Sequence, residues 1–194
     1  MERSEDCCRT SKKHWRVSLI PDLPITFVSY AEARTFKDAK TEFVVFVDDT
    51  EDLNEEFYRG LYQIYKDKPQ FRKLALVSPA LALGTHNIYG WVLNDGMVEQ
   101  VNSPSARAPY AAQIGYIKNS IIRTDSLNKL DFKFTGDTLM DSARLSLALW
   151  NAGLRVYVDP RLHTHPSENV GGTLSMGGGP YDAVLKLFKR EMIG

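Results

Sequence analysis

Phe43-Val44-Val45-Phe46-Val47, followed at once by Asp48-Asp49-Thr50-Glu51-Asp52, is the stretch on which the reading of this chain turns. An apolar run of aromatic and β-branched residues without polar alternation predicts a strand covered on both faces, as a central strand of an α/β sheet is. The acids behind it mark the carboxyl end of that strand, the edge at which open α/β sheets receive ligands. Asn54 is placed to cap the helix that follows, with Glu55 and Glu56 against its positive end. Phe57, Leu61, Ile64 and Tyr65 form its apolar stripe, and Pro69 ends it.

Upstream, Val17–Ile20 and Ile25–Ser29 read as short strands, because Pro21 and Pro24 between them disfavour a helix. Ala33, Phe36 and Ala39 recur at helical spacing within Tyr30–Lys40. Downstream, Leu74–Val77 is a second buried strand, and Asn94-Asp95-Gly96 turns Ile88–Leu93 back onto Met97–Val101 as a hairpin. Residues 102–113 form a loop, and Tyr116–Arg123 reads as a strand. Asp137 or Thr138 caps a helix with Leu139, Ala143, Leu147 and Trp150 inward, closed by Gly153. Leu154–Val158 is the last strand, followed by the tract His163-Thr164-His165-Pro166. A glycine-rich stretch, Gly171–Gly179, then leads to a final helix with Val184, Leu185, Phe188 and Met192 inside. This alternation predicts an α/β fold, a mixed sheet flanked by helices in three layers. It forms a single domain over 17–194 behind a polar tail at 1–16.

Composition narrows the function classes. The 194 residues are 43% hydrophobic, enough for a core, and Lys+Arg equals Asp+Glu at 24 each. With no global basic field, neither nucleic acid nor an anionic membrane is the expected partner. Cys7 and Cys8, the only cysteines, are adjacent and build no disulfide framework. The longest apolar run, Leu74–Leu83, is broken by Ser78 and Pro79 and is too short to span a bilayer. The expectation is a cytoplasmic protein with no membrane span.

Several side chains are candidates for chemistry. Asp48 and Asp49 lie where a hard divalent cation bridging carboxylate and diphosphate oxygens would sit; the plainer reading is a solvated acidic turn. A phosphatase of the haloacid type would need an aspartate two residues after Asp48, where Thr50 stands. His163 and His165 share one side of an extended segment and can ligate a metal or simply face water. Asp137 and Asp141 open a helix, where a carboxylate can take a proton from a hydroxyl or only cap and charge the first turn. Arg34 sits among small residues, and Gly171–Gly179 reads equally as a lid or a linker.

In their order along the chain, three passages resemble glycosyltransferases of the GT-A fold, family 2 most of all. YAEARTFKDAKTEFVVFVDDTEDLNEEFYRGL resembles the passage with an Ala-Arg pair, a buried strand and the Asp-X-Asp metal motif. IGYIKNSIIRTDSLNKLDFKF resembles the acceptor-side strand, and GDTLMDSARLSLALWNAGLRVYVDPRLHTHP the helix that opens with a Gly-Glu-Asp catalytic motif, with a strand and a terminal histidine behind it. The resemblance covers about residues 28–190 and implies a sugar transfer from a nucleotide-diphosphate-sugar donor to a carbohydrate or other hydroxyl acceptor. Inversion and dependence on Mn²⁺ or Mg²⁺ come with it. It implies Asp48, Asp49 and His165 as metal ligands, Arg34 and Asp48 at the sugar-nucleotide, and Asp137, with Asp141 in reserve, as the catalytic base.

The chain departs from that pattern at Thr50 and Thr138, which replace acids. Only about thirty residues separate Val17 from Asp48, too few for the strand–helix–strand unit that clasps the base in the family. The base pocket is then missing, rebuilt from other parts, or supplied by a partner chain or oligomer. The alternative function is a non-catalytic binding or assembly module on the same fold.

Overall fold

The computed structural model describes residues 16–17, 20, 22–36, 39–48, 54–67, 73–83, 86–94, 97–102 and 107–165. Asp49 and Thr50, the stretch Gly171–Gly179 and the expected final helix lie outside the described residues.

The strand read from Phe43–Val47 is β3, and every one of its residues is buried. On one side of it lies β2 (Ile25–Ser29), parallel and in register from Ile25 opposite Phe43 to Ser29 opposite Val47. β1 (Arg16–Val17) pairs antiparallel with β2 at the sheet edge. On the other side β9 (Ile121–Arg123) runs antiparallel and separates β3 from β4 (Leu74–Leu83). β10 (Arg155–Thr164) lies parallel to β4, and β8 (Tyr110–Ala111) closes the far edge. The order is β1-β2-β3-β9-β4-β10-β8, with β5 (His86–Ile88) paired to the end of β4. β2, β3, β4 and β10 all point one way, so their carboxyl ends share one edge. A separate hairpin joins β6 (Trp91–Asn94) to β7 (Met97–Gln100), with Asn94 opposite Met97 as the Asn-Asp-Gly turn predicts.

Strand alternation sorts the core into two layers. Phe43, Val45 and Val47 face α1 (Glu55–Asp67), where Tyr58, Leu61 and Ile64 are buried against them. Val44 and Phe46 face the other layer, built by α2 (Thr124–Lys129), α3 (Thr138–Asn151) and a 3₁₀ helix at Tyr30–Thr35. The fold is therefore a mixed α/β sheet between two helical layers. No helix among the described residues is long and apolar enough to cross a membrane.

Caps fall where the sequence places them. Asn54 Oδ1 accepts from Phe57 N at 3.1 Å, and Asp137 Oδ1 accepts from Met140 N at 3.0 Å. Several expectations need correction. The stretch 102–113, read as a loop, contains β8, and the hairpin strand read from Ile88 begins at Trp91, Ile88 pairing with Leu81 of β4 instead. The helix over Tyr30–Lys40 is a 3₁₀ helix that stops at Thr35, where Phe36 turns extended and lays its ring 5.6 Å from that of Phe46. β4 and β10 are longer than expected, running through Pro79 and Pro160, and their pairing shifts register between Asp159 and His163. The strand over Tyr116–Arg123 begins only at Ile121, and α2 follows it directly.

The segment Gly115–Ser120 lies next to the sheet without joining it as a ladder, so its backbone N–H groups need other acceptors. Serines supply them. Gly115 N donates to Ser146 Oγ at 3.2 Å, Tyr116 N to Ser78 Oγ at 2.9 Å, and Ile117 N to Ser142 Oγ at 3.0 Å. A Cβ on Gly115 would lie 2.9 Å from Ser78 Cβ, so only glycine lets the segment come this close to β4. Asn119 then takes a left-handed conformation (φ 60°) and returns its N–H to Phe46 O at 2.8 Å. Asn tolerates that conformation better than most residues. The consequence is local: Lys118 is delivered to the end of β3.

Candidate functional site

Asp48 is the first residue past β3. Its Oδ1 accepts from Lys118 Nζ at 2.8 Å, with Asp48 22% exposed and Lys118 only 3% exposed. The ammonium also stands 5.0 Å from the centre of the Tyr30 ring, a cation–π contact that strengthens as water is excluded. Tyr30 begins the 3₁₀ helix and sends its hydroxyl to Asp141 Oδ2 at 2.8 Å. Asp48, Lys118, Tyr30 and Asp141 thus form one connected line from the end of β3 to the first turn of α3.

Asp141 has no exposed surface. Besides Tyr30 it accepts from Thr135 N and Thr135 Oγ1 at 2.9 and 2.8 Å and from Gly136 N at 3.1 Å, with Arg144 Nη1 at 3.5 Å. Both oxygens are filled. As placed, Asp141 ties the Thr135–Gly136 loop to α3, and no acceptor hydroxyl can reach it without breaking that loop. The Tyr30 hydroxyl is held well above its usual titration range, first by burial and then by its bond to the Asp141 carboxylate.

Asp137 is exposed, and one of its oxygens caps α3 through Met140 N. Arg34 is exposed and lies against the loop that Asp141 holds: a Cβ on Gly136 would be 2.6 Å from Arg34 Nη2. Gly136 has φ 86°, so glycine is required there for backbone conformation as well as for the guanidinium. Arg34 forms no ion pair among the described residues.

His165 leaves β10 one residue after Thr164. Thr164 Oγ1 accepts from Asn119 Nδ2 at 2.7 Å, and Asn119 Oδ1 accepts from Tyr58 Oη at 2.8 Å. This buried relay brings the end of β10 beside the segment that carries Lys118. His165 is exposed and makes no bond to Asp48. His163 is also exposed, its ring edge-on to Tyr89 with centroids 5.9 Å apart.

Of the expected site residues, Arg34, Asp48, Asp137 and Asp141 therefore come together through Tyr30, Lys118 and the Thr135–Gly136 loop. His165 reaches the same edge without joining them, and Asp49 lies outside the described residues. Among the described residues no three His, Cys, Asp or Glu side chains gather as a metal site. A doubly charged cation on Asp48 would stand within about 5 Å of a buried ammonium and be repelled by it.

Lys118, Tyr30 and Asn119 were not expected at the site. Lys118 and Asn119, followed by Ser120, interrupt the run Ile114–Ile122 and carry a signal for them, since a buried ammonium needs a partner. The chain matches no model of a known protein family, and comparison with curated proteins finds no similar sequence.

Proposed function

We propose that this chain is a glycosyltransferase domain that receives a nucleotide-diphosphate sugar at the carboxyl edge of its sheet and passes the sugar to a hydroxyl acceptor. The observation that carries the reading is the line of contacts from Asp48 through Lys118 and Tyr30 to Asp141, whose loop carries Asp137 and lies against Arg34. Arg34 is a cation with no partner among the described residues and suits a diphosphate. Asp48, steadied by Lys118, suits donor hydroxyls. Asp137 is the exposed carboxylate nearest the loop that Asp141 anchors.

In the reaction, the acceptor oxygen forms its bond to the anomeric carbon while Asp137 takes the hydroxyl proton. The bond from that carbon to the phosphate oxygen breaks, and the electron pair leaves with the diphosphate, whose growing charge Arg34 stabilises. A one-step displacement of this kind inverts the anomeric centre. Asp141 acts as a positioning residue, holding Gly136 and the start of α3.

Transfer and donor hydrolysis across a panel of nucleotide sugars test this. Asp137→Asn is expected to lower kcat by about 10²–10⁴ with little effect on donor affinity, and Asp48→Ala to weaken donor binding. A wild-type protein that binds donors yet is as inactive as both variants would favour the second reading, a non-catalytic binding or assembly module. The saturated Asp141 is what speaks for that reading. A protein that binds no donor overturns both.

A further inference from the structure

Asp48 is the acid that the proposed function sets beside an anionic ligand, and an unpaired carboxylate there would repel a diphosphate. The structure places a charge against it. Lys118 Nζ lies 2.8 Å from Asp48 Oδ1, is almost fully buried, and is backed by the Tyr30 ring at 5.0 Å. Nothing about this lysine is casual. Its backbone bridges to Phe46 in β3. The next residue, Asn119, turns left-handed and is pinned by Tyr58, Thr164 and Phe46 O. The residues before it are tied down by Ser78, Ser142 and Ser146.

An ammonium delivered by so constrained a backbone is a fixed countercharge. It does for Asp48 what a bound cation otherwise does, and by its own charge it disfavours a divalent ion on the same carboxylate. Resting on the donor site proposed above, we infer that Lys118 is the built-in cation of that site. The site therefore binds a nucleoside diphosphate without a divalent metal, Arg34 meeting the phosphates and Lys118 neutralising Asp48 from behind.

The test is calorimetric titration of the full chain with uridine, guanosine, adenosine and cytidine diphosphates, once in EDTA and once in Mn²⁺. The expected result is that the nucleotide that binds does so with Kd values within about twofold in the two conditions. Binding seen only in Mn²⁺ would overturn the inference and leave the glycosyltransferase reading standing. Binding of no nucleotide in either condition would overturn that reading and this inference together. Lys118→Met is expected to weaken binding in EDTA at least about tenfold and to regain it in Mn²⁺, while Lys118→Arg keeps metal-free binding. A Lys118→Met protein that binds in EDTA as the wild type does would contradict the role given to Lys118. Should Lys118→Met fail to fold, the two wild-type titrations decide alone. Manganese EPR supplies an independent signal: free Mn²⁺ is expected to stay free with the wild type and to be taken up by Lys118→Met at Asp48.

Discussion

Tyr30 shows how one side chain ties fold to site. Its ring packs edge-on with Phe46 and Phe134, each at 6.4 Å between centroids, and supports the Lys118 ammonium, while its hydroxyl serves Asp141. Burial and the neighbouring carboxylate raise its pKa, so folding favours the neutral phenol. The stability this contributes is complete below pH about 10, where a tyrosine in the unfolded chain is also protonated. It is lost as pH rises further, because the unfolded chain then releases a proton that the folded one keeps. Urea unfolding at pH 9 and pH 11 checks this. Tyr30→Phe is expected to be less stable at pH 9 by about 1–3 kcal/mol, since Asp141 loses a donor, yet to lose about 1 kcal/mol less than the wild type on going to pH 11. Tyr65, also raised by burial, titrates in both proteins and cancels. Equal losses would mean that Tyr30 is not protected in the folded state. In the sequence Tyr30 reads only as the first residue of a short helix, since neither of its polar partners is near it in the chain. Asp141 lies 111 residues away.

At the scale of elements, periodicity and turn chemistry were legible, and departures from regular structure were not. β3, α1, α3 and the β6–β7 hairpin follow from apolar runs, caps and an Asn-Asp-Gly turn. The failure came at Tyr116–Arg123, which reads as a strand in the sequence. Ser78, Ser142 and Ser146 offer the backbone another set of acceptors there, and a serine in a helix does not announce which distant N–H it will serve. Ser146→Ala leaves the buried Gly115 N–H without its acceptor. It is expected to cost about 1–3 kcal/mol in chemical denaturation. A cost within about 0.5 kcal/mol, as for an exposed position, would mean that the segment does not depend on these hydroxyls. The same irregularity explains why Lys118 was missed: as part of a regular strand, it would be just one more alternating position.

For the molecule as a whole, three layers and a common strand direction decide which side chains can share an edge before any single residue does. With β2, β3, β4 and β10 parallel, the 3₁₀ helix, the Asp48 junction, the start of α3 and the end of β10 must all gather at one edge. The gathering of acids there was readable from their places after strands and before helices. The pairing of Asp48 with Lys118 was not, because it depends on a contact across 70 residues of chain. The central claim, that this edge receives a nucleotide sugar, is tested most directly by backbone amide NMR during titration with donor sugars and their diphosphates. The account predicts saturable shifts at Asp48, Lys118, Gly136 and Asp137. Shifts confined to the opposite edge, around Phe43, Leu74 and Arg155, or none at any ligand concentration, would contradict it.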